Sequence, residues 1–120
     1  MAEILKLKNF HDARGSLCVL DDELPFSVKR AFFLYDVLKQ RGGHMHKKSR
    51  QALICLSGSC RINVQTPEKD LTYTLSDKNS CLLLEPHDWH TMDNFTQDSI
   101  LLVLASESYT PDDYIFQPYR

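Results

Sequence analysis

Two histidines separated by one residue are the side chains of this chain best suited to proton transfer. His44 and His46 lie within the segment RGGHMHKK, which also carries Arg41 and Lys47. If this segment is a strand, side chains two residues apart project from the same face, so both imidazoles would enter one site. Imidazole has an ordinary pKa of about 6.5 and exchanges protons readily at neutral pH. The pair therefore indicates general acid–base catalysis, although hydrogen-bonded core histidines would give the same pattern.

The elements that must position these residues are short strands. Alternating apolar and polar residues run through Ile4–Phe10, and a break with two glycines covers Lys39–Gly43. Seven further strand-like runs are Ser16–Leu20, Val28–Val37, Ala52–Leu56, Cys60–Val64, Leu71–Leu75, Ser80–Leu84 and Ile100–Ala105. Turn residues separate the runs at intervals of about 8–12 residues, which is typical of a sandwich or small barrel. We predict a single all-β domain over residues 1–120.

Composition excludes several classes of function. The net charge of −2 provides no positive field for nucleic acid. No apolar run is long enough to span a membrane, and the beginning MAEILKLKNF lacks the layout of a signal peptide. The four cysteines form no Cys-x-x-Cys pair and are expected to be buried free thiols; they are Cys18, Cys55, Cys60 and Cys81. We predict a cytoplasmic protein that binds neither nucleic acid nor membranes.

Two polar blocks resemble, in order, the two motifs of the cupin superfamily. The first motif, His-x-His followed by Glu and Gly, is matched over residues 44–58, with Gln51 in the place of Glu. The second motif, Pro-x-Gly followed by His and Asn, is matched over residues 86–94, with His90 as its histidine and Asp88 instead of glycine. The resemblance implies a cupin double-stranded β-helix, a jelly-roll-like barrel.

Gln51 argues against the metal site that many cupins carry. Iron and manganese favour anionic oxygen beside imidazole, and an amide supplies no charge. We therefore expect no metal and no cofactor, and we expect Gln51 and His90 to contact the substrate instead. His90 could equally have a structural role in orienting the His-x-His pair.

Most of the chain resembles one particular family within the cupin superfamily. The stretch YDVLKQRGGHMHKKSRQALICLSGSCRI, then EPHDWHTMDNF, ILLVLAS and the tail DDYI are similar to the WxcM-like cupins. These proteins are dTDP-4-keto-6-deoxyglucose 3,4-ketoisomerases of deoxysugar biosynthesis, for glycans such as lipopolysaccharide or the S-layer. Membership implies that a ketone moves from C4 to C3 of a dTDP-linked sugar through an enediolate. It also implies a homodimer, for which Ile4–Phe10 is a good candidate for edge pairing.

The reaction assigns roles to particular side chains. His44 and His46 would divide the proton transfers, in an order that the sequence leaves open. Tyr35 would donate to the developing oxyanion, unless it is only an aromatic residue at the barrel rim.

The pyrophosphate of the substrate needs charge-assisted hydrogen bonds. Its first candidate is Arg41, because a guanidinium matches phosphate oxygens, and Arg14, Arg61 and Lys47 are further candidates. The thymine base would stack on an aromatic side chain, for which the candidates are Phe32, Phe33 and Trp89.

Three alternatives remain open at this stage. A sugar-nucleotide 3,5-epimerase would use the same enolisation without moving the ketone. A metal-dependent oxygenase would need the carboxylate that Gln51 replaces. A non-enzymatic sugar-binding cupin would need no paired bases, so His44→Asn would leave its function intact.

Overall fold

The structure, a computed structural model, describes all 120 residues and contains twelve strands and no α-helix. The strands are β1 Glu3–Lys6, β2 Lys8–Asp12, β3 Gly15–Val19, β4 Arg30–Tyr35, β5 Arg41–His46, β6 Gln51–Ser57, β7 Cys60–Gln65, β8 Asp70–Leu75, β9 Ser80–Leu84, β10 Trp89–Asp93, β11 Ile100–Ala105 and β12 Tyr114–Ile115. A 3₁₀ turn at Pro111–Asp113 precedes β12. The all-β prediction is confirmed. None of the helical structure is long and apolar enough to cross a membrane.

Two five-stranded sheets enclose the main core. One has the order β1-β9-β6-β11-β4 and the other has the order β12-β5-β10-β7-β8. Leu53 and Leu101 of the first sheet and Ile62 and Met92 of the second belong to one apolar cluster. Each of these strands alternates an inward apolar residue with an outward one, so the barrel interior is filled by one face of each sheet.

The first predicted strand is divided in two. Ile4–Phe10 reads as one alternating run, but the structure ends β1 before Leu7 and begins β2 after it. The buried Leu7 packs in a second apolar cluster, and its amide donates to the carbonyl oxygen of Asn79. Leu7 is thus still in register with Asn79, one position beyond the end of β9, and after it the chain forms a separate hairpin, β2–β3.

The predicted break over Lys39–Gly43 is wrong for its last three residues. Strand β5 begins at Arg41 and includes Gly42 and Gly43. Both glycines have positive φ angles, 85° and 86°, so the strand continues in a backbone conformation that glycine allows.

The hairpin β2–β3 forms a two-stranded sheet of its own. The molecule measures 49 × 30 × 26 Å along its principal axes. Both Phe10 on β2 and Leu17 on β3 are exposed to solvent. This hairpin therefore presents apolar side chains that the rest of the chain does not cover.

Candidate active site

A cavity of about 230 Å³ opens between the two sheets. Strands β4 and β6 contribute one wall, and strands β5, β10 and β12 contribute the other. The lining residues are Arg30, Phe32, Leu34, Arg41, Gly42, His44, Gln51, His90, Met92 and Tyr114. Apart from a few hydrophobic side chains, this lining is mostly polar or charged, so the cavity offers several convergent polar groups to a small ligand.

The two glycines before His44 determine how strand β5 reaches this cavity. Gly42 pairs with Thr91 and His44 pairs with His90, so Gly43 is an extra residue in a β-bulge. A Cβ atom on Gly42 would lie 2.9 Å from the carbonyl oxygen of His90, which is closer than such atoms approach. The bulge and the absence of a side chain at Gly42 together bring β5 close to β10.

Three imidazoles meet at this point. The ring centroid of His44 lies 5.0 Å from that of His46 and 4.9 Å from that of His90. His44 lines the cavity, whereas His46 is 4% exposed and lies behind it. His90, on the neighbouring strand, also lines the cavity and is 1% exposed. The alternation of a strand thus places both members of His-x-His on one side, but only His44 can meet a ligand directly.

Hydrogen bonds determine the tautomers of two of these rings. The Nδ1 atom of His90 lies 3.0 Å from the carbonyl oxygen of Asp88, and the Nδ1 atom of His46 lies 2.9 Å from Oδ2 of Asp113. Both partners only accept, so each Nδ1 carries the proton and each Nε2 carries a lone pair. Neither Nε2 has a hydrogen-bond partner, and both are buried. The site therefore holds two unpartnered basic nitrogens.

Burial keeps these histidines neutral. It lowers the pKa of His44 to about 4, with a further decrease from the nearby His46 and an opposing effect of the Gly42 backbone. Burial also lowers the pKa of His90 to about 3. The pKa of His46 is lowered by burial as well, and its hydrogen bond to Asp113 opposes that decrease. At neutral pH all three rings are thus in the form that accepts a proton.

The C-terminal residues complete the site. Strand β12 pairs with β5, which sets Tyr114 opposite His46. The Tyr114 ring centroid lies 4.7 Å from those of both His44 and His46. Sequence reasoning missed Arg30, Asp113 and Tyr114 as site residues. The tail DDYI belongs to the family resemblance, but no spacing in the sequence connects it to the histidines.

The structure brings together five of the predicted site residues. Arg41, His44, Gln51 and His90 line the cavity, and His46 adjoins it. Of the three aromatic candidates for stacking on a base, Phe32 lines the cavity as well.

The other four predicted residues lie outside the cavity. Tyr35 is 61% exposed on the outward face of β4, and the side chain of Lys47 is exposed after β5 ends. Arg61 lies on the outward face of β7, where its Nε donates to Oδ1 of Asp93 at 2.7 Å. Arg14 lies in the turn of the β2–β3 hairpin. The proposed roles of these four residues stay predictions.

Comparison with known proteins identifies the family. The family described as FdtA: WxcM-like, C-terminal matches residues 1–120. The chain belongs to this WxcM-like family. It is 37% identical over 119 residues to the TDP-4-oxo-6-deoxy-alpha-D-glucose-3,4-oxoisomerase of Aneurinibacillus thermoaerophilus, an alignment that covers 96% of this chain and 86% of that protein. The predicted family membership is confirmed.

Solved structures place the WxcM-like chain among cupin barrels. It resembles the 3,4-ketoisomerase QdtA of Thermoanaerobacterium thermosaccharolyticum, in a histidine-to-asparagine variant bound to TDP-4-keto-6-deoxyglucose. The TM-score is 0.93 at 36% identity, covering 97% of this chain and 87% of that chain. A dTDP-4-dehydrorhamnose 3,5-epimerase from Bacillus anthracis gives a TM-score of 0.80 at 18% identity, over 94% and 76% of the two chains, which shows a shared fold alone. The predicted cupin fold is confirmed.

The donor set of this WxcM-like protein does not suit the metal that many cupins hold. The neutral Gln51 occupies the position of the carboxylate, and no three His, Cys, Asp or Glu side chains are arranged to hold an ion. The chemistry of the site is therefore derived from its side chains.

Proposed function

We propose that this protein is a sugar-nucleotide 3,4-ketoisomerase that moves the ketone of dTDP-4-keto-6-deoxyglucose from C4 to C3. The observation that carries the proposal is the neutral imidazole of His44 in the wall of the cavity, beside a second neutral imidazole, His90. The relative from Aneurinibacillus and the substrate complex of QdtA support the choice of sugar.

The reaction consists of proton transfers between adjacent carbons. The hydrogen on C3 is acidic because C3 lies next to the C4 carbonyl. A base removes that proton, and the electron pair moves through the C3–C4 bond to the carbonyl oxygen, giving an enediolate. The C3 hydroxyl then loses its proton as C3 becomes a carbonyl, a proton is added to C4, and the C4 oxygen becomes a hydroxyl. No atom is gained or lost, so the enzyme needs only bases, acids and oxyanion stabilisation.

His44 is our candidate for the base that takes the C3 proton. Of the His-x-His pair, it alone lines the cavity, and its ring is uncharged at neutral pH. We propose that His46, directly behind His44, supports the addition of the proton to C4. This assignment follows the prediction that the two histidines divide the proton transfers. C3 and C4 are adjacent, so a base that is close to one carbon is also close to the other. Neither imidazole ring therefore has to move far.

Two arginines supply positive charge at the same cavity. Arg41 is exposed at the beginning of β5 and makes no ion pair with a side chain of this chain, so its guanidinium is free to bind phosphate oxygens. Arg30 stacks over Phe32, with its central carbon 4.4 Å from the ring centroid. We assign the pyrophosphate to Arg41, and we assign the sugar oxygens to Arg30 and Gln51.

We further propose that residues 1–120 form one domain that acts as a homodimer in the cytoplasm. The apolar residues Phe10 and Leu17 on the uncovered β2–β3 hairpin support packing against a second copy. A hairpin used in this way carries Arg14 to its partner, which is where the predicted phosphate contact of Arg14 would be made. The four free cysteines support a reducing compartment.

The test is incubation of the protein with dTDP-4-keto-6-deoxyglucose in deuterated buffer, with and without a chelator, followed by NMR of the sugar. We expect conversion to the 3-keto sugar with deuterium at C4, at the same rate in both samples. Deuterium at C3 and C5 without ketone movement would instead identify a 3,5-epimerase. Inertness towards this sugar would overturn the proposal, and loss of activity with the chelator would favour a metal-dependent cupin.

A further inference from the structure

We infer that Asp113 is a positioning residue that holds His46 in one tautomer behind His44, which makes the C-terminal turn part of the active site. The catalytic consequence rests on the proposed isomerase function. The hydrogen bonding itself can be measured without a substrate, so the two can fail separately.

The carboxylate of Asp113 is enclosed by hydrogen-bond donors. Its side chain is 9% exposed. Oδ1 accepts from the amide of Lys48 at 2.7 Å, while Oδ2 accepts from Nδ1 of His46 at 2.9 Å and from the amide of Ser49 at 3.3 Å. These donors offset the cost of removing a carboxylate from water. No lysine or arginine side chain pairs with Asp113, so its one side-chain partner is His46.

The backbone around Asp113 fixes this arrangement. The carbonyl oxygen of Asp113 accepts from the amide of Lys47 at 2.8 Å, and the next residue, Tyr114, pairs with His46 in the β12–β5 ladder. The turn is therefore attached to β5 on both sides of the carboxylate. A side chain held in this way can select a ring orientation as well as a tautomer.

The selected tautomer is the one that proton transfer needs. With the proton on Nδ1, the Nε2 atom of His46 has a lone pair that is buried, without a partner, and beside the ring of His44 at 5.0 Å between centroids. A neutral imidazole with no carboxylate could place its proton on Nε2 instead, which would remove the basic nitrogen. Asp113 thus keeps a proton acceptor available behind the residue that meets the sugar.

The substitution Asp113→Asn should reverse the tautomer. Two backbone amides and one ring nitrogen surround the carboxylate, and an amide side chain has only one acceptor oxygen. The shorter of the backbone contacts is the one from Lys48, so the amide oxygen is expected to turn towards it. The amide N–H then faces Nδ1 of His46, which must become the acceptor and transfer its proton to Nε2.

The experiment compares imidazole ¹⁵N chemical shifts in the wild type, in Asp113→Asn and in the matched control Asp112→Asn, whose carboxylate is exposed on the same turn. We expect the proton of His46 on Nδ1 in the wild type and the control, and on Nε2 in Asp113→Asn. A wild-type proton on Nε2 would overturn the inference even if Asp113→Asn failed to fold. An unchanged tautomer in a folded Asp113→Asn variant would also overturn it.

The kinetic measurement tests the catalytic consequence. With dTDP-4-keto-6-deoxyglucose, kcat of Asp113→Asn should fall about 10²-fold while KM stays nearly constant, because Asp113 does not line the cavity. Asp112→Asn should keep the wild-type kcat, and Asp113→Glu should recover part of the loss by restoring an acceptor. An unchanged kcat in Asp113→Asn would refute the catalytic role. A wild type that does not convert this sugar would refute the proposed function and leave the tautomer result to stand alone.

Discussion

Acidification should destabilise this protein through His90, because the buried ring is neutral in the folded state. Its folded pKa of about 3 lies below the 6.5 of an unperturbed histidine. As the pH falls below 6.5, the unfolded chain binds a proton that the folded chain does not, so the free energy of unfolding decreases. Between pH 8 and pH 5 the loss from one such histidine is about 2 kcal/mol. The value depends little on the folded pKa, since that pKa lies well below 5.

The substitution His90→Gln removes this titration and should reduce the pH dependence by about 2 kcal/mol over the same interval. Each protein is compared with itself at two pH values, so any constant cost of the substitution cancels. Burial raises the pKa of Asp88, whose carbonyl oxygen accepts from His90, but Asp88 is present in both proteins. His44, with a pKa of about 4, continues to contribute in the variant.

The assay is urea unfolding at pH 8, 7, 6 and 5 at one fixed protomer concentration, because a dimer would make stability concentration-dependent. The matched control is His11→Gln, which removes an exposed histidine from the hairpin. If His90→Gln and the wild type lose the same free energy between pH 8 and pH 5, His90 does not titrate as a buried neutral ring, and the reasoning fails.

Three further predictions follow from the cavity and from strand β5. His44→Asn should lower turnover by about 10²–10⁴-fold with little change in the TDP dissociation constant from calorimetry; near-normal turnover would contradict its role as base. Arg41→Gln should weaken TDP binding by about tenfold or more in the same titration, and equal affinity would place the phosphates elsewhere. Gly42→Ala should lower the free energy of unfolding by about 1–3 kcal/mol more than Gly43→Ala, since the new Cβ meets the His90 carbonyl only at Gly42; equal losses in urea unfolding would contradict this packing.

Strand patterns predicted the bounds of two well-buried strands. Ser80–Leu84 and Ile100–Ala105 match β9 and β11 residue for residue. The runs Ala52–Leu56 and Cys60–Val64, separated by Ser57, Gly58 and Ser59, predict a hairpin, and that prediction is wrong. Strands β6 and β7 lie in different sheets and do not pair, so the turn at Gly58, with a positive φ of 65°, takes the chain from one sheet to the other. Prediction failed at Leu7, where one alternating run divides between a strand of the large sheet and a separate hairpin, and at Gly42, where a strand continues through residues that normally end one.

The site was predictable only in part. Spacing of two residues placed His44 and His46 on one side of a strand, and the second motif supplied His90. Alternation alone would not have shown that His46 stands behind His44, because that depends on how far β5 twists and bulges against β10. Alternation does not say which face of a strand is buried, so it could not predict the face on which Arg61 lies. In the structure the neighbours Cys60 and Ile62 belong to the core, and Arg61 points outward.

The resemblance to cupins implied the barrel, the third imidazole and the missing metal carboxylate. The residue types and their spacing determined on their own that the chain is all-β and that two imidazoles share one face of a strand. These are local properties, since a strand's period and a side chain's chemistry do not depend on distant residues. The tertiary structure alone decided which histidine faces the cavity, which tautomer His46 and His90 adopt, and that Asp113 approaches His46 from 67 positions away. Such contacts arise when strands far apart in sequence pair, so they follow from the closure of the barrel and not from any short segment.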